Sequence, residues 1–124
     1  PVTIPQMIAH RNENGMVILQ IETVKALEIR EELLSVKGLD VVMVGPVDLS
    51  ISLGIPGEFE HPKFLTALDQ IRDTCNAKGI VPGIQCRGVA LSKACKERGY
   101  RFLGTSNEWN LLLEKARETT TALK

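Results

Sequence analysis

The chain has 124 residues, 44% of them hydrophobic, and its fifteen Lys and Arg are balanced by fifteen Asp and Glu. That length buries one modest core, so the chain reads as one domain or a piece of one, and a second independent domain is not expected. A neutral balance with no basic cluster longer than a pair lacks the electrostatic footprint of a nucleic-acid binder and leaves small molecules or locally held anions as partners.

The opening stretch "PVTIPQMIAHRNENG" reads as the middle of a helix, so the chain is expected to be part of a longer one. "MVILQIE" (16–22) follows, the first of four nearly continuous apolar runs of the kind that form strands covered on both faces. "TVKALEIREELLSVKG" then has helical spacing, with Thr23 as N-cap and Gly38 just past its end. The second strand is "LDVVMVG" (39–45), and after it comes "SISLGIPGEFEH" (50–61), a long loop rich in turn residues. "HPKFLTALDQIRDTCNAKG" is a helix with Pro62 in its first turn, Phe64, Leu65, Leu68, Ile71 and Cys75 on one face, and Gly79 at its end. The third strand, "GIVPGIQ" (79–85), leads into the helix "RGVALSKACKERG", which closes on Gly99. The fourth strand is "YRFLGTS" (100–106); the last helix is capped by Asn107 and expected to turn Leu111, Leu112 and Leu113 towards the sheet, with Trp109 and Phe102 packing this unit.

This order gives an α/β fold of four parallel βα units. Such units build either an open doubly wound sheet or a TIM (β/α)8 barrel, and a barrel takes roughly 250 residues and eight units. Four units are half of one, with two open sheet edges and an exposed inner face.

Cys75, Cys86 and Cys95 are odd in number and lack CxxC spacing, which argues against a disulfide framework or zinc knuckle and for a reduced, cytoplasmic setting. No apolar run approaches the ~18–20 residues that cross a bilayer, and no signal-like segment is present, so no membrane association is expected. No Walker loop, GxGxxG or GxSxG occurs.

In both architectures ligands bind at the C-terminal ends of the strands. The first strand delivers Gln20 and Glu22 there, the second Asp48, the third Gln85 and Cys86, and the fourth Thr105, Ser106 and Asn107. Glu22 and Asp48 are one βα repeat apart and so can face a common point from neighbouring strands. Two carboxylates that close repel unless a cation lies between them, and sparse hard oxygen ligands suit Mg2+ or Mn2+. The structural alternative is that Glu22 favours the positive end of the helix starting at Thr23 and Asp48 is an N-cap or Asx-turn residue. His61, before Pro62, reads as a helix-start residue, His10 as solvent-facing, and Cys86 as a small buried hydrophobe.

"QIETVKALE" followed by "VKGLDVVMVGPVDLSISLGIPGEFEHPKF" resembles the 4-hydroxy-2-oxoheptanedioate aldolases, class II pyruvate aldolases of the phosphoenolpyruvate/pyruvate superfamily, to which citrate-lyase β-type proteins also belong. The resemblance runs through nearly the whole chain. It implies that residues 1–124 are the C-terminal half of a TIM-barrel aldolase domain, carrying strands 5–8. It also implies that Glu22 and Asp48 ligate one divalent metal (Mg or Mn, possibly Co or Zn), that Gln20 lies beside bound pyruvate, and that the backbone N–H groups of Val47 and Asp48 cradle the substrate carboxylate. The implied reaction is metal-dependent aldol cleavage and condensation of 4-hydroxy-2-oxo acids to pyruvate and an aldehyde, through an enolate stabilised at the metal.

The catalytic groups of that family, a His–Asp-assisted water and an Arg, belong to the first four strands, so none is expected here and the isolated fragment is expected to be inactive. The partners implied are a small 2-oxo acid substrate and further copies in a homo-oligomer. Gln85 stands where the family usually has an aliphatic residue, and "GTSNEWNLL" departs from its usual last-strand pattern, which bears on the substrate. Two other readings stay open: a citrate-lyase-β-like or malyl-CoA-type lyase acting on a CoA thioester, and a noncatalytic half-barrel binding or scaffold module. A phosphate-accepting receiver domain has the right length but would need an acidic pair and a lysine that are not so arranged.

Overall fold

The computed structural model describes residues 2–124. Four short strands, β1 (Ile18–Ile21), β2 (Val41–Val44), β3 (Val81–Gln85) and β4 (Phe102–Gly104), form one sheet in chain order with every neighbouring pair parallel. The register aligns Gln20 with Met43, Gly83 and Phe102, and places Ile21, Val44, Ile84 and Leu103 one residue further on. Because side chains alternate across a pleated strand, these two rows face opposite sides. In the Ile21 row, Ile21, Val44 and Ile84 are buried and Leu103 is half-buried against the same core, whereas Ile18 and Gln20 are exposed on the other face.

Seven helices accompany the sheet: α1 (Ile4–Asn14), α2 (Val24–Glu28), α3 (Arg30–Leu33), α4 (Pro46–Ser52), α5 (Pro62–Ala77), α6 (Val89–Glu97) and α7 (Glu108–Ala122). The core lies between sheet and helices, where Ile21, Val42, Val44 and Ile84 meet Leu27, Leu34, Phe64, Leu68, Ile71, Cys75 and Cys95. Tyr100, 2% exposed, anchors the start of the last unit by donating its hydroxyl proton to the Leu68 carbonyl at 2.8 Å. The expected helix starts hold at Thr23, whose Oγ1 accepts from Ala26 N–H, at Pro62, and at Asn107, whose Oδ1 accepts from Asn110 N–H. Gly38, Gly79 and Gly99 all take positive φ, as helix-terminating glycines do.

Four expectations need correction. The first helix is not met in its middle: it begins at Thr3, whose backbone N–H and hydroxyl both donate to Gln6 Oε1, with Pro5 in the first turn. The second expected helix is divided at Ile29 (φ −94°, ψ 16°) and ends at Leu33, short of Lys37. The presumed loop from Ser50 starts three residues later, because α4 runs to Ser52. In α7 no side chain is buried: Leu111 is 57%, Leu112 67% and Trp109 68% exposed, and only Leu113 of the three leucines is half-buried.

Candidate active site

The C-terminal ends of the four strands form the floor of a cavity of about 650 Å³. Following the pleat past the Gln20 row, the next inward positions are Glu22, Gly45, Gln85 and Gly104, so side-chain-bearing residues on β1 and β3 alternate with glycines at β2 and β4. The glycines are needed for space. A Cβ on Gly45 would lie 3.0 Å from both Gln20 Nε2 and Glu22 Oε2 and 3.1 Å from Glu22 Cβ, while one on Gly104 would collide with the Gln85 side chain. Glu22 and Gln20 therefore lean across the end of β2, and Gln85 leans across β4 to donate from Nε2 to the Ser106 carbonyl at 3.3 Å.

Each expected site residue is at this rim. Gln20 lines the cavity and donates its amide proton to the Glu22 carboxylate. Glu22 is half-buried and stands behind Gln20 against Gly45, without lining the cavity wall itself. Gly45, not Asp48, is the N-cap of α4; Pro46 occupies the first turn, where its missing N–H costs nothing, and Val47 and Asp48 follow and line the cavity. The first N–H of this turn to find a backbone acceptor is that of Leu49, which donates to the Gly45 carbonyl at 2.9 Å. The Val47 and Asp48 N–H groups have no acceptor among the described residues.

The structural roles weighed for the two carboxylates are partly filled by others. Thr23 caps α2, and Glu22 is turned away to Gln20. Asp48 lies in the first turn of α4, where a negative charge suits the helix dipole, but its exposed carboxylate accepts no hydrogen bond among the described residues. Glu22 directly follows β1, and Asp48 lies in the first turn of the helix that follows the neighbouring parallel strand β2. Among the described residues no group of three or more His, Cys, Asp and Glu gathers there or elsewhere.

His61 is a helix-start residue as expected: it is the N-cap of α5, and its Nδ1 accepts from Lys63 N–H at 3.1 Å. His10 is exposed on α1 beside Asn14. Cys86 is buried, 1% exposed, and also reaches the cavity wall. Sequence reasoning passed over Arg87 and Asn110, which line the same cavity. Arg87 follows the strand by two residues and Asn110 lies one turn beyond the Asn107 cap; neither position carries a pattern that marks it. Asp48 and Arg87 are the two charged residues of the lining, and amides from Gln20, Gln85, Asn107 and Asn110 make up much of the remainder.

Residues 2–113 match the family model described as HpcH/HpaI aldolase/citrate lyase. The chain belongs to this family. It is 33% identical over 113 residues to the 4-hydroxy-2-oxo-heptane-1,7-dioate aldolase of Escherichia coli strain ATCC 8739, an alignment that takes in 91% of this chain and 43% of that protein. Identity to the aldolase of the same name from Salmonella paratyphi B is 34%, again over 91% of this chain and 43% of the relative. Among solved structures, an HpcH/HpaI aldolase from Desulfitobacterium hafniense superposes with a TM-score of 0.85 at 32% identity, covering 100% of this chain and 48% of that one. A family protein from Burkholderia cenocepacia gives 0.83 at 27% identity, covering 95% and 48%. The chain spans a little under half the length of the relatives it matches, and its four parallel βα units are a half-barrel of the aldolase fold.

Proposed function

We propose that residues 1–124 are the second half of a TIM-barrel aldolase domain, strands 5–8, and supply the metal-binding half of a site that cleaves and forms 4-hydroxy-2-oxo acids. The observation that carries this reading is the convergence of Gln20, Glu22, Gly45 and Asp48 on one rim, in a chain of an aldolase and lyase family.

The donor set fits a hard divalent cation. Glu22 and Asp48 offer two carboxylates with few competing partners among the described residues, the hard oxygen ligands that such a cation prefers. Mg2+ or Mn2+, with Co2+ or Zn2+ as substitutes, held by Glu22 and Asp48 would supply Lewis acidity at the keto oxygen of a 2-oxo acid. The chain's own groups do the positioning. The N–H groups of Val47 and Asp48 point from a helix start with no protein acceptor, which suits a substrate carboxylate. Gln20 presents its amide beside that position and keeps Glu22 oriented, while Gly45 leaves the room that both occupy. In cleavage the C3–C4 bond breaks, its electrons pass towards the 2-oxo group, and the 4-hydroxyl proton leaves to a base. That base and the Arg that assists the keto oxygen belong, on this reading, to the other half of the barrel. The isolated fragment then binds metal weakly and does not turn over, and the complete protein works as a homo-oligomer.

In the full-length protein, Glu22→Ala and Asp48→Ala are each expected to eliminate metal-dependent pyruvate release while Mn2+ affinity falls in titration calorimetry. Retained activity in either variant overturns the metal assignment. The family description also covers citrate lyases, so a panel of hydroxy-oxo acids against acyl-CoA thioesters is the companion assay; turnover of the thioesters alone would move the reading to a citrate-lyase-β-like or malyl-CoA-type enzyme.

A further inference from the structure

The two carboxylates at the rim arrive on separate pieces of chain. Glu22 stands between the end of β1 and the Thr23 cap of α2, and Asp48 is the third residue of α4. With seven residues, α4 is too short to hold a helix by itself, so its position is set by what it is bonded to. Two of its serines bond beyond it. Ser52 Oγ accepts the Val24 N–H at 2.9 Å, the first N–H of α2 and one that no carbonyl of its own helix can take. This bond joins the segment just after Glu22 directly to the helix that carries Asp48.

Ser50 is fully buried; its hydroxyl accepts the Gly57 N–H at 2.9 Å and donates to the Val47 carbonyl at 2.7 Å. The Val47 carbonyl and the Asp48 nitrogen belong to one planar peptide unit, so Ser50 fastens the backbone of Asp48 to the turn at Gly57, where φ is 79°. Residues two apart on a helix point about 200° from each other, so the two serines hold α4 from opposite sides.

We propose, on the reading of Glu22 and Asp48 as ligands of one divalent cation, that Ser50 and Ser52 are positioning residues for that cation, keeping the turn that bears Asp48 at a fixed offset from Glu22. Two carboxylates left free repel each other and separate. An ion that must first bring them together loses affinity to that repulsion and to the entropy of ordering α4. The serines thus do through the backbone what Gln20 does through the Glu22 carboxylate itself. Ser52 separates orientation from stability: it is exposed, so water replaces its bond in a variant and the fold is kept. Removing the buried Ser50 hydroxyl instead leaves the Gly57 N–H without its acceptor.

The test is Mn2+ titration calorimetry on the full-length protein without substrate, with the urea midpoint of each variant measured beside it. Ser52→Thr keeps the acceptor oxygen, and Ser52→Val has the shape of that variant without the oxygen. Ser52→Thr is expected to bind Mn2+ within about twofold of wild type, whereas Ser52→Val and Ser52→Ala should each bind about tenfold more weakly at a nearly unchanged urea midpoint. Ser50→Ala should weaken Mn2+ by a similar factor and lower the midpoint as well. Ser52→Val and Ser52→Ala read out the same loss, so either suffices if the other does not fold. Wild-type affinity in these two variants, or an equal loss in Ser52→Thr and Ser52→Val, overturns the positioning role and leaves the metal ligands standing. Wild-type Mn2+ affinity in both Glu22→Ala and Asp48→Ala overturns the metal reading and this proposal with it.

Discussion

Gly45 has φ near −88°, a conformation open to any residue, so its requirement for a hydrogen side chain is a matter of contact rather than backbone strain. Two of the atoms a Cβ would meet, Gln20 Nε2 and Glu22 Oε2, are the free ends of side chains and can move, and the third, Glu22 Cβ at 3.1 Å, needs a shift of a few tenths of an ångström. Gly45→Ala is therefore expected to cost under about 2 kcal/mol in urea denaturation. By displacing the oriented Glu22 carboxylate, the same change should lower Mn2+ affinity of the full-length protein about 10–100-fold, read by titration calorimetry. The carboxylates and Gln20 were legible in the sequence because Q-x-E and G-P-x-D-L-S each sit at the end of an apolar run. The glycine's reason was not, since it arises between strands 23 residues apart. Arg87 and Asn110 were illegible for a related cause: each is an ordinary polar residue near an element's start, and only the folded arrangement brings them to the cavity.

Between elements, the contact of α5 with α6 is tied by one acidic residue. Asp69 accepts from Arg98 Nη1 at 2.9 Å through both oxygens and from Arg72 Nη1 at 2.7 Å, and Arg72 Nη1 also donates to the Arg98 carbonyl at 3.0 Å. The Asp69 side chain is 37% exposed, so solvent screens much of the attraction. Asp69→Asn should cost about 0.5–1 kcal/mol at low salt, and the difference from wild type should shrink in high salt. Strand and helix order was readable from apolar runs, caps and glycines. The division at Ile29 was not, because no Gly or Pro marks it: Arg30 turns back to bond the Leu27 carbonyl through Nη1 and reaches across to Thr74 Oγ1 through Nε, a tertiary attachment that periodicity does not contain. In α7 the leucine run implied a buried face, yet consecutive residues point a third of a turn apart, so three adjacent leucines cannot share one.

For the molecule as a whole, buried acids weaken stability at alkaline pH, Cys75 and Tyr100 among them. Burial pushes the Cys75 thiol from 9.0 up to about 11 and raises the Tyr100 hydroxyl well above its usual 10.0. The folded chain keeps protons that the unfolded chain releases, so their contribution is present below about pH 9 and is lost as pH rises. The urea midpoint should fall between about pH 9 and pH 11, first through Cys75 and then through Tyr100. The sheet carries a second liability: β1 and β4 are both edge strands, and Val17 and Ile18 are 53% and 44% exposed at β1. The 124-residue chain should self-associate in size-exclusion chromatography, and Ile18→Lys should shift it towards monomer, by the means natural edge strands use.

The alternation of glycine with longer residues around the rim separates two properties. One end of the aperture is fixed by Gln20 and Glu22 lying over Gly45, the other by Gln85 lying over Gly104, and no hydrogen bond among the described residues links the two pairs. Diversification at position 85 can therefore resize the entrance and alter which molecules are admitted, while the end formed by Gln20 and Glu22 stays as it was.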